Sequence, residues 1–254
     1  MARFAGKVVV VTGAGSGIGA ATARRFAREG ATVVLNGRRQ AKLDEVAAGL
    51  PADRVLVRPG DVSREDDAKA LVAAAVERFG RLDVLVNNAG TAISGDFAGT
   101  STEDWRRVMG TNLDGVFFMT RAALPHLIET KGSVVNVSSV SGLGGDWGLA
   151  VYTASKGAVT NLTRSLAMEF GGRGVRVNAV APSFTLTEMT ADMKDDSDLM
   201  ARFADRIPMG RAAEPEEVAD AIAFLAGEDA RFVTGVNLPV DGGLHASNGQ
   251  PRIG

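Results

Sequence analysis

The chain predicts an α/β fold, a doubly wound parallel sheet of seven strands covered by helices on both faces. Three observations carry that expectation. Short β-branched runs recur along the sequence, and helical periodicity fills the intervals between them. The runs are apolar throughout rather than alternating, which marks strands buried on both faces of a parallel sheet. At 254 residues the chain is long enough for one α/β domain with a large core and short for two.

The first strand is expected within KVVVVTG, from Lys7, and the second within ATVVLNG, from Ala31, with a helix rich in alanine and arginine between them. RVLVRPG from Arg54 and LDVLVNNAG from Leu82 supply the third and fourth. GSVVNVSS from Gly132, VRVNAVAP from Val175 and GVNLPVDGG from Gly235 supply the last three. Parallel neighbours require crossover connections, which are right-handed in this class. No long linker, repeat or low-complexity tract interrupts the pattern, so residues 1–254 are read as one domain. Its one irregular stretch, Phe184 to Pro208, is expected to form a helical lid. Ligands of such sheets bind beyond the carboxyl ends of the strands, where strand order reverses. Gly13 to Gly19, Asn87, Ser139 and Pro182 all follow or end strands and so mark the expected site.

Composition narrows the chemistry. Apolar residues at 45% and charged residues at 23% are ordinary for a globular protein, and a formal net charge of −2 offers no basic field for nucleic acid or anionic lipid. Without cysteine there is no disulfide framework and no thiolate nucleophile. The two histidines, His126 and His245, are too few for a zinc site or a serine–histidine triad. No apolar run reaches the ~18 residues of a membrane span, and MARFAGKVVVVTG enters a strand without a secretory signal. A cytoplasmic location is expected.

The single tyrosine, Tyr152, stands four positions before Lys156 in VYTASKGAV. On a helix this places phenol and ammonium on one face, about 6 Å apart along the axis. A phenol with a pKa of ~10 exchanges protons poorly at neutral pH, and a neighbouring cation is expected to lower that value. After the first strand, TGAGSGIG spaces Gly13, Gly17 and Gly19 for a tight turn into a helix, whose free N–H groups suit a pyrophosphate. The end of the second strand selects among dinucleotides. Where an NAD site offers an acid to the ribose 2′-hydroxyl, VVLNGRRQ has Gly37, Arg38 and Arg39, and a guanidinium there suits a 2′-phosphate. NADP(H) is therefore the expected cofactor, with NAD(H) second.

These pieces stand in one order: TGxxxGxG, NNAG from Asn87 to Gly90, Ser139 thirteen residues before Tyr152, YTASK, and VDGG from Val240 to Gly243. Over nearly the whole chain the set resembles the short-chain dehydrogenase/reductase family in its form of about 250 residues. The resemblance implies a Rossmann-type cofactor site. In it Gly13, Ser16, Gly17, Ile18 and Gly19 contact the dinucleotide from the glycine turn, and Asp61 and Val62 contact adenine. Asn87, Ala89 and Gly90 line the adenosine side, and Pro182, Thr185 and Thr187 hold the nicotinamide end. The implied catalytic set is Asn112, Ser139, Tyr152 and Lys156. Tyr152 would give a proton to a carbonyl oxygen or take one from an alcohol, and Ser139 would hold that oxygen. Lys156 would bind the nicotinamide ribose and lower the Tyr152 pKa, while Asn112 would help hold a water chain. No metal is implied. One departure follows the sixth strand: the family usually has Pro-Gly, whereas this chain has Pro182-Ser183, so the loop through Phe184 and Thr185 is expected to take a different path.

The expected substrate is a small ketone or secondary alcohol, surrounded by Ser139, Trp147, Tyr152, Phe184 and Met189. SVSGLGGDWG, IPMGRAAEPEEVA and VNLPVDGGLHASNGQP look like stretches of the bacterial 2,3-butanediol dehydrogenases (acetoin/diacetyl reductases) within the family, which usually carry an acid after the second strand. Two rival readings stand beside this one. Reduction of 3-oxoacyl thioesters would need a basic entrance, for which Arg106, Arg107 and Arg121 are candidates. A non-catalytic, cofactor-sensing scaffold would keep the fold without turnover. The resemblance also implies a homotetramer built through the helices following Asn112 and Tyr152 and through the last strand. The small residues Ala154, Gly157, Ala158 and Asn161 would permit close packing there, or equally against the chain's own sheet.

Overall fold

Each of the seven β-branched runs forms a strand in the computed structural model, which describes residues 2–250. The strands are β1 (Val8–Val11), β2 (Thr32–Gly37), β3 (Val55–Pro59), β4 (Val84–Asn87), β5 (Ser133–Val137), β6 (Arg176–Pro182) and β7 (Asn237–Val240). All neighbours pair in parallel, in the order β3-β2-β1-β4-β5-β6-β7. The four valines of β1 are buried on both faces, and full burial of one such side chain contributes roughly 1.5–3 kcal/mol. A strand this apolar is stable only in the middle of the sheet, and β1 lies between β2 and β4.

The helices are α1 (Gly17–Arg28), α2 (Gln40–Ala47), α3 (Glu65–Phe79), α4 (Thr102–Met109), α5 (Gly115–Thr130), α6 (Ala150–Gly171), α7 (Ser197–Arg206) and α8 (Pro215–Ala226). Phe26 of α1, Leu43 of α2 and Ile222 of α8 share one core with Val9, Val11 and Leu35. Leu71 of α3, Met119 and Leu127 of α5 and Phe170 of α6 fill the other, against Val8, Val10 and Val34. The alternate valines of β1 thus serve opposite layers, as the pleat requires. Because β2 and β3 lie to one side of β1 and β4 to β7 to the other, a crevice opens between the loops that leave β1 and β4.

Two irregularities bear on the site. α4 and α5 are joined by a π-helical turn, Gly110–Asp114, which contains Asn112; such turns inside helices recur at functional positions. The stretch expected as a lid folds as a 3₁₀ turn, Glu188–Met193, followed by α7. It is tied down at its start by the bridge of Thr185 to Ala213 and by Phe184, whose ring stacks on Phe203 at 4.3 Å. Residues 251–254 at the C-terminus lie outside the described residues.

Candidate active site

The glycine turn leaves no room for side chains, and that keeps its backbone open to a ligand. A Cβ at Gly19 would lie 2.2 Å from the Gly13 carbonyl oxygen, and one at Gly13 would lie 2.9 Å from the Ala89 Cα. Gly13 and Gly17 have φ of 64° and 50°, the left-handed conformation that favours glycine. Ser16 caps α1 without engaging its own side chain, and no acid occupies the first turn, so the positive end of the helix faces outward. The turn is joined to the loop after β4 by Thr12. Its hydroxyl accepts from the backbone N–H of Asn88 and Ala89, each at 3.0 Å, while the Asn88 amide donates to the carbonyls of Thr12 and Gly13 at 2.9 and 3.2 Å. The two sides of the crevice are thereby held in register.

Two cavities meet at this seam. The first, about 170 Å³, lies beyond β1, β2 and β3 and is lined by Arg38, Arg39, Lys42, Asp61 and Val62 among others. The second, about 230 Å³, lies beyond β5 and β6 and is lined by Ser16, Ile18, Ser139, Tyr152, Lys156, Phe184, Thr185 and Met189 among others. Gly13, Ala89 and Gly90 line both. An extended dinucleotide laid across the switch point fits this arrangement, with its pyrophosphate at the shared glycine turn and its two ends in the two cavities. Arg38 faces the first cavity with no ion-pair partner among the described residues. Arg39 instead pairs with Glu188 of the 3₁₀ turn, at 3.1 and 2.5 Å. The Arg39 guanidinium, and after it the Ser16 hydroxyl, hold the Glu188 carboxyl down to about 2.

In the second cavity Ser139, Tyr152 and Lys156 converge, as expected from their places at the end of β5 and on one face of α6. Lys156 is buried, donates from Nζ to the Val137 carbonyl at 2.7 Å, and is lowered to about 8 by burial. The loop after β5 is pressed onto α6 at Gly142, where a Cβ would lie 2.6 Å from the Ser138 hydroxyl and 2.7 Å from the Lys156 carbonyl oxygen. Ser138 itself bonds to that carbonyl at 3.1 Å and to the Thr160 hydroxyl at 2.7 Å. This close docking brings Ser139 to Tyr152.

Three expectations are corrected by these contacts. The Tyr152 pKa is raised, not lowered. Burial drives it up, a hydrogen bond with Ser139 opposes this, and the charge of Asp146 adds to it. The Lys156 ammonium is 5.7 Å from the ring centroid and is turned to Val137, so burial prevails over the cation. Asn87 does not line the crevice: its side chain is buried in the sheet, donating to Asn136 at 2.9 Å and Thr120 at 3.0 Å. The next residue, Asn88, is the one that reaches the seam, because successive residues of a strand point to opposite faces. Trp147 is 94% exposed and lies outside the lining of the catalytic cavity. Asn112 acts as a brace through its side chain: it donates to the Thr91 carbonyl and the Ser155 hydroxyl, both at 2.9 Å, and accepts from the Thr91 N–H at 2.8 Å.

Gly19 is buried beneath the turn rather than facing the cavities, while Gly17 and Thr187 meet across it. Pro182 lies in the cavity wall beside Ser183. Three participants were missed from the sequence. Lys42 enters the first cavity from one turn into α2, a cation at helical spacing from Arg38 and Arg39 that could have been noticed. Asn88 stood inside the NNAG motif. Asp146 gave no signal, because its link to Ser139 through Ser141 exists only once the loop has folded.

Comparison with known proteins agrees with this geometry. A family model described as Enoyl-(Acyl carrier protein) reductase matches residues 13–245. The chain is 53% identical to a meso-2,3-butanediol dehydrogenase of Serratia marcescens, over 99% of each chain. It is 44% identical to a 3-oxoacyl-(acyl-carrier-protein) reductase of Thermotoga maritima, covering 95% of this chain and 99% of that one. A crystal structure of a 3-ketoacyl-(acyl-carrier-protein) reductase from Brucella melitensis, complexed with NADH, superposes with a TM-score of 0.88 at 38% identity, covering 94% of this chain and 98% of that one.

Proposed function

Because the chain belongs to the short-chain dehydrogenase/reductase family of NAD(P)-dependent oxidoreductases, we propose that it interconverts a small ketone and its secondary alcohol with Tyr152 as proton donor and acceptor and NADP(H) as the preferred cofactor. The observation that carries this reading is the meeting of Ser139, Tyr152 and Lys156 in a cavity that shares the glycine turn with a second, cation-lined cavity.

The bound nicotinamide dinucleotide supplies or accepts the hydride. Ser139 and Tyr152 then handle the substrate oxygen. In reduction the phenol delivers its proton to that oxygen while Ser139 holds it; a phenol kept protonated by burial is suited to the donor role at neutral pH. In oxidation the same oxygen gives its proton to the phenolate. Lys156, buried and directed along the cavity wall, is placed to hold the nicotinamide ribose, and Asn112 keeps the segment of Thr91 and the helix of Tyr152 at fixed separation. Arg38 supports the cofactor preference, since it offers positive charge without an ion-pair partner among the described residues in the first cavity, where a 2′-phosphate would lie; Lys42 lines the same cavity but is paired with Glu45 at 3.0 Å. Arg39 adds less, being engaged by Glu188.

Substrate size is argued from the walls. The catalytic cavity is small and bounded by Ile18, Phe184 and Met189, with Phe184 immobilised against Phe203. A diketone, hydroxyketone or aryl ketone suits such a space. The basic entrance that a thioester carrier would need is weakened, because Arg107 pairs with Asp104 and Arg121 with Glu65, at 2.7 and 2.6 Å. Thioester reduction is retained as the rival that two of the named relatives illustrate. We also read the protein as a homotetramer. Ala154 and Asn161 of α6 are exposed rather than packed on the chain's own sheet, and Met168 and Phe232 are 87% and 101% exposed. Light scattering on the purified protein tests this; a monomer would end it.

The test of function is initial-rate oxidation of NADPH and NADH with diacetyl, acetoin, aryl ketones and acetoacetyl-CoA. Small ketones with NADPH should give the highest specificity constants. A preference for acetoacetyl-CoA would transfer the reading to thioester reduction, and a preference for NADH would remove the role given to Arg38.

A further inference from the structure

The loop after β5 holds a carboxyl group that the catalytic set does not use. Asp146 lies on the exposed part of this loop, and its Oδ2 accepts from the Ser141 hydroxyl at 2.9 Å. Ser141, 5% exposed, accepts in turn from the Ser139 hydroxyl at 3.3 Å, and its backbone N–H donates to the Ser139 oxygen at 3.1 Å. Ser139 lines the same cavity as the Tyr152 phenol and acts on its titration. A carboxylate and two serine hydroxyls therefore form one line from the loop surface to the cavity that holds the phenol.

We propose that Asp146 is a positioning residue of the reaction, acting through Ser141 to set the direction in which the Ser139 hydroxyl points beside Tyr152. This rests on the assignment of Tyr152 and Ser139 given above. A carboxylate can only accept, so it pins Ser141 as a donor. Ser141 is then left with lone pairs toward Ser139, and Ser139 turns its proton toward Ser141. What Ser139 then presents to a substrate is an acceptor, and the donation to Tyr152 that favours phenolate competes with its contact to Ser141. An alcohol, which brings a proton, meets that face favourably. A carbonyl needs the Ser139 proton, and obtaining it breaks the contact with Ser141 at 3.3 Å. Neutralising Asp146 permits the line to reverse: an amide at that position can donate to Ser141, Ser141 to Ser139, and Ser139 to a carbonyl.

The charge has a second effect. Asp146 from the loop and Lys156 from α6 are the charged groups facing the phenol; the ammonium is held by Val137, and Glu188 on the 3₁₀ turn is held by Arg39. Removing the Asp146 charge takes away a repulsion that disfavours phenolate.

The experiment compares D146N, D146E and S141A in the full-length enzyme with its best ketone and the matching alcohol. In D146N the rising limb of kcat/KM against pH for alcohol oxidation should move to lower pH by roughly 0.5 to 1 unit. Its KM should fall several-fold for the ketone and rise several-fold for the alcohol. The equilibrium constant ties the two kcat/KM values together while cofactor affinity is unchanged, so this effect is read in KM and kcat separately. D146E should behave as wild type. S141A, which breaks the line but keeps the charge, should alter the KM values and leave the limb in place. Wild-type limb and KM values in D146N, or equal impairment of D146E and D146N, would overturn the proposal. If Tyr152→Phe proves fully active, the underlying assignment fails instead; if it is inactive while D146N is silent, only the role of Asp146 is lost.

Discussion

Lys156 and Tyr152 share a helix face yet are governed by the same force in opposite senses: burial disfavours the charged form of each, lowering the ammonium and raising the phenol. The tyrosine is consequently a stored proton, and its removal should be felt in chemistry alone. Tyr152→Phe keeps the ring and its packing, so NADPH affinity measured by fluorescence titration should persist while kcat falls on the order of 10²–10⁴. Near-normal turnover would show that another group supplies the proton. Arg38 is the residue on which cofactor preference turns. Arg38→Ala should weaken NADPH by about 1.5–3 kcal/mol, the worth of a charged hydrogen bond, and leave NADH nearly unchanged. Equal losses for both cofactors would place Arg38 elsewhere than at a 2′-phosphate.

Among elements, the glycine turn and the head of α1 tolerate change least. Gly19 is packed so closely beneath Gly13 that a methyl group would meet the Gly13 carbonyl oxygen at 2.2 Å. Backbone must move to admit it. Gly19→Ala should therefore lower stability by about 1–3 kcal/mol, the usual penalty of overpacking, and raise the Kd for NADPH together with that for NADH, because the shared turn is displaced. Denaturant unfolding and cofactor titration of the same preparation measure both; a stable variant with unaltered affinity would mean that α1 can slide away from the turn. The π-helical turn at Asn112 has the complementary part, widening one helix locally so that an amide can span Thr91 and Ser155.

At the scale of the whole molecule, the amino ends of the strands carry the electrostatic counterpart of the catalytic end. Asp83 accepts from the Val8 N–H at 3.0 Å and from Arg81 at 2.6 and 2.8 Å, with Lys7 at 3.2 Å. Burial pushes its carboxyl up, but Arg81, the Val8 N–H and Lys7 together bring it below the ordinary value. A carboxyl depressed in the folded state stabilises fully above its unfolded pKa and loses that contribution as pH falls through the folded one. Asp83→Asn should cost about 1–3 kcal/mol at pH 7, and the gap from wild type in thermal unfolding should close below about pH 4. A gap that is constant across that range would assign the loss to packing rather than charge.

How much of this was legible in the sequence follows from the range of the forces involved. The seven strands, the glycine turn, and the pairing of Tyr152 with Lys156 are local: they depend on β-branched runs, on backbone freedom and on a four-residue spacing, all of which survive in a string of letters. What the string could not decide is which side of a strand end faces the crevice, and so Asn87 was expected where Asn88 stands. Nor could it decide how charge is distributed once groups are buried. The phenol is raised because the fold surrounds it, Arg39 is engaged because the 3₁₀ turn brings Glu188 across the glycine loop, and Asp146 reaches Ser139 because Gly142 lets its loop settle on α6. Each joins groups remote in sequence or reorders neighbours through the fold, and tertiary packing alone sets their distances and the dielectric between them.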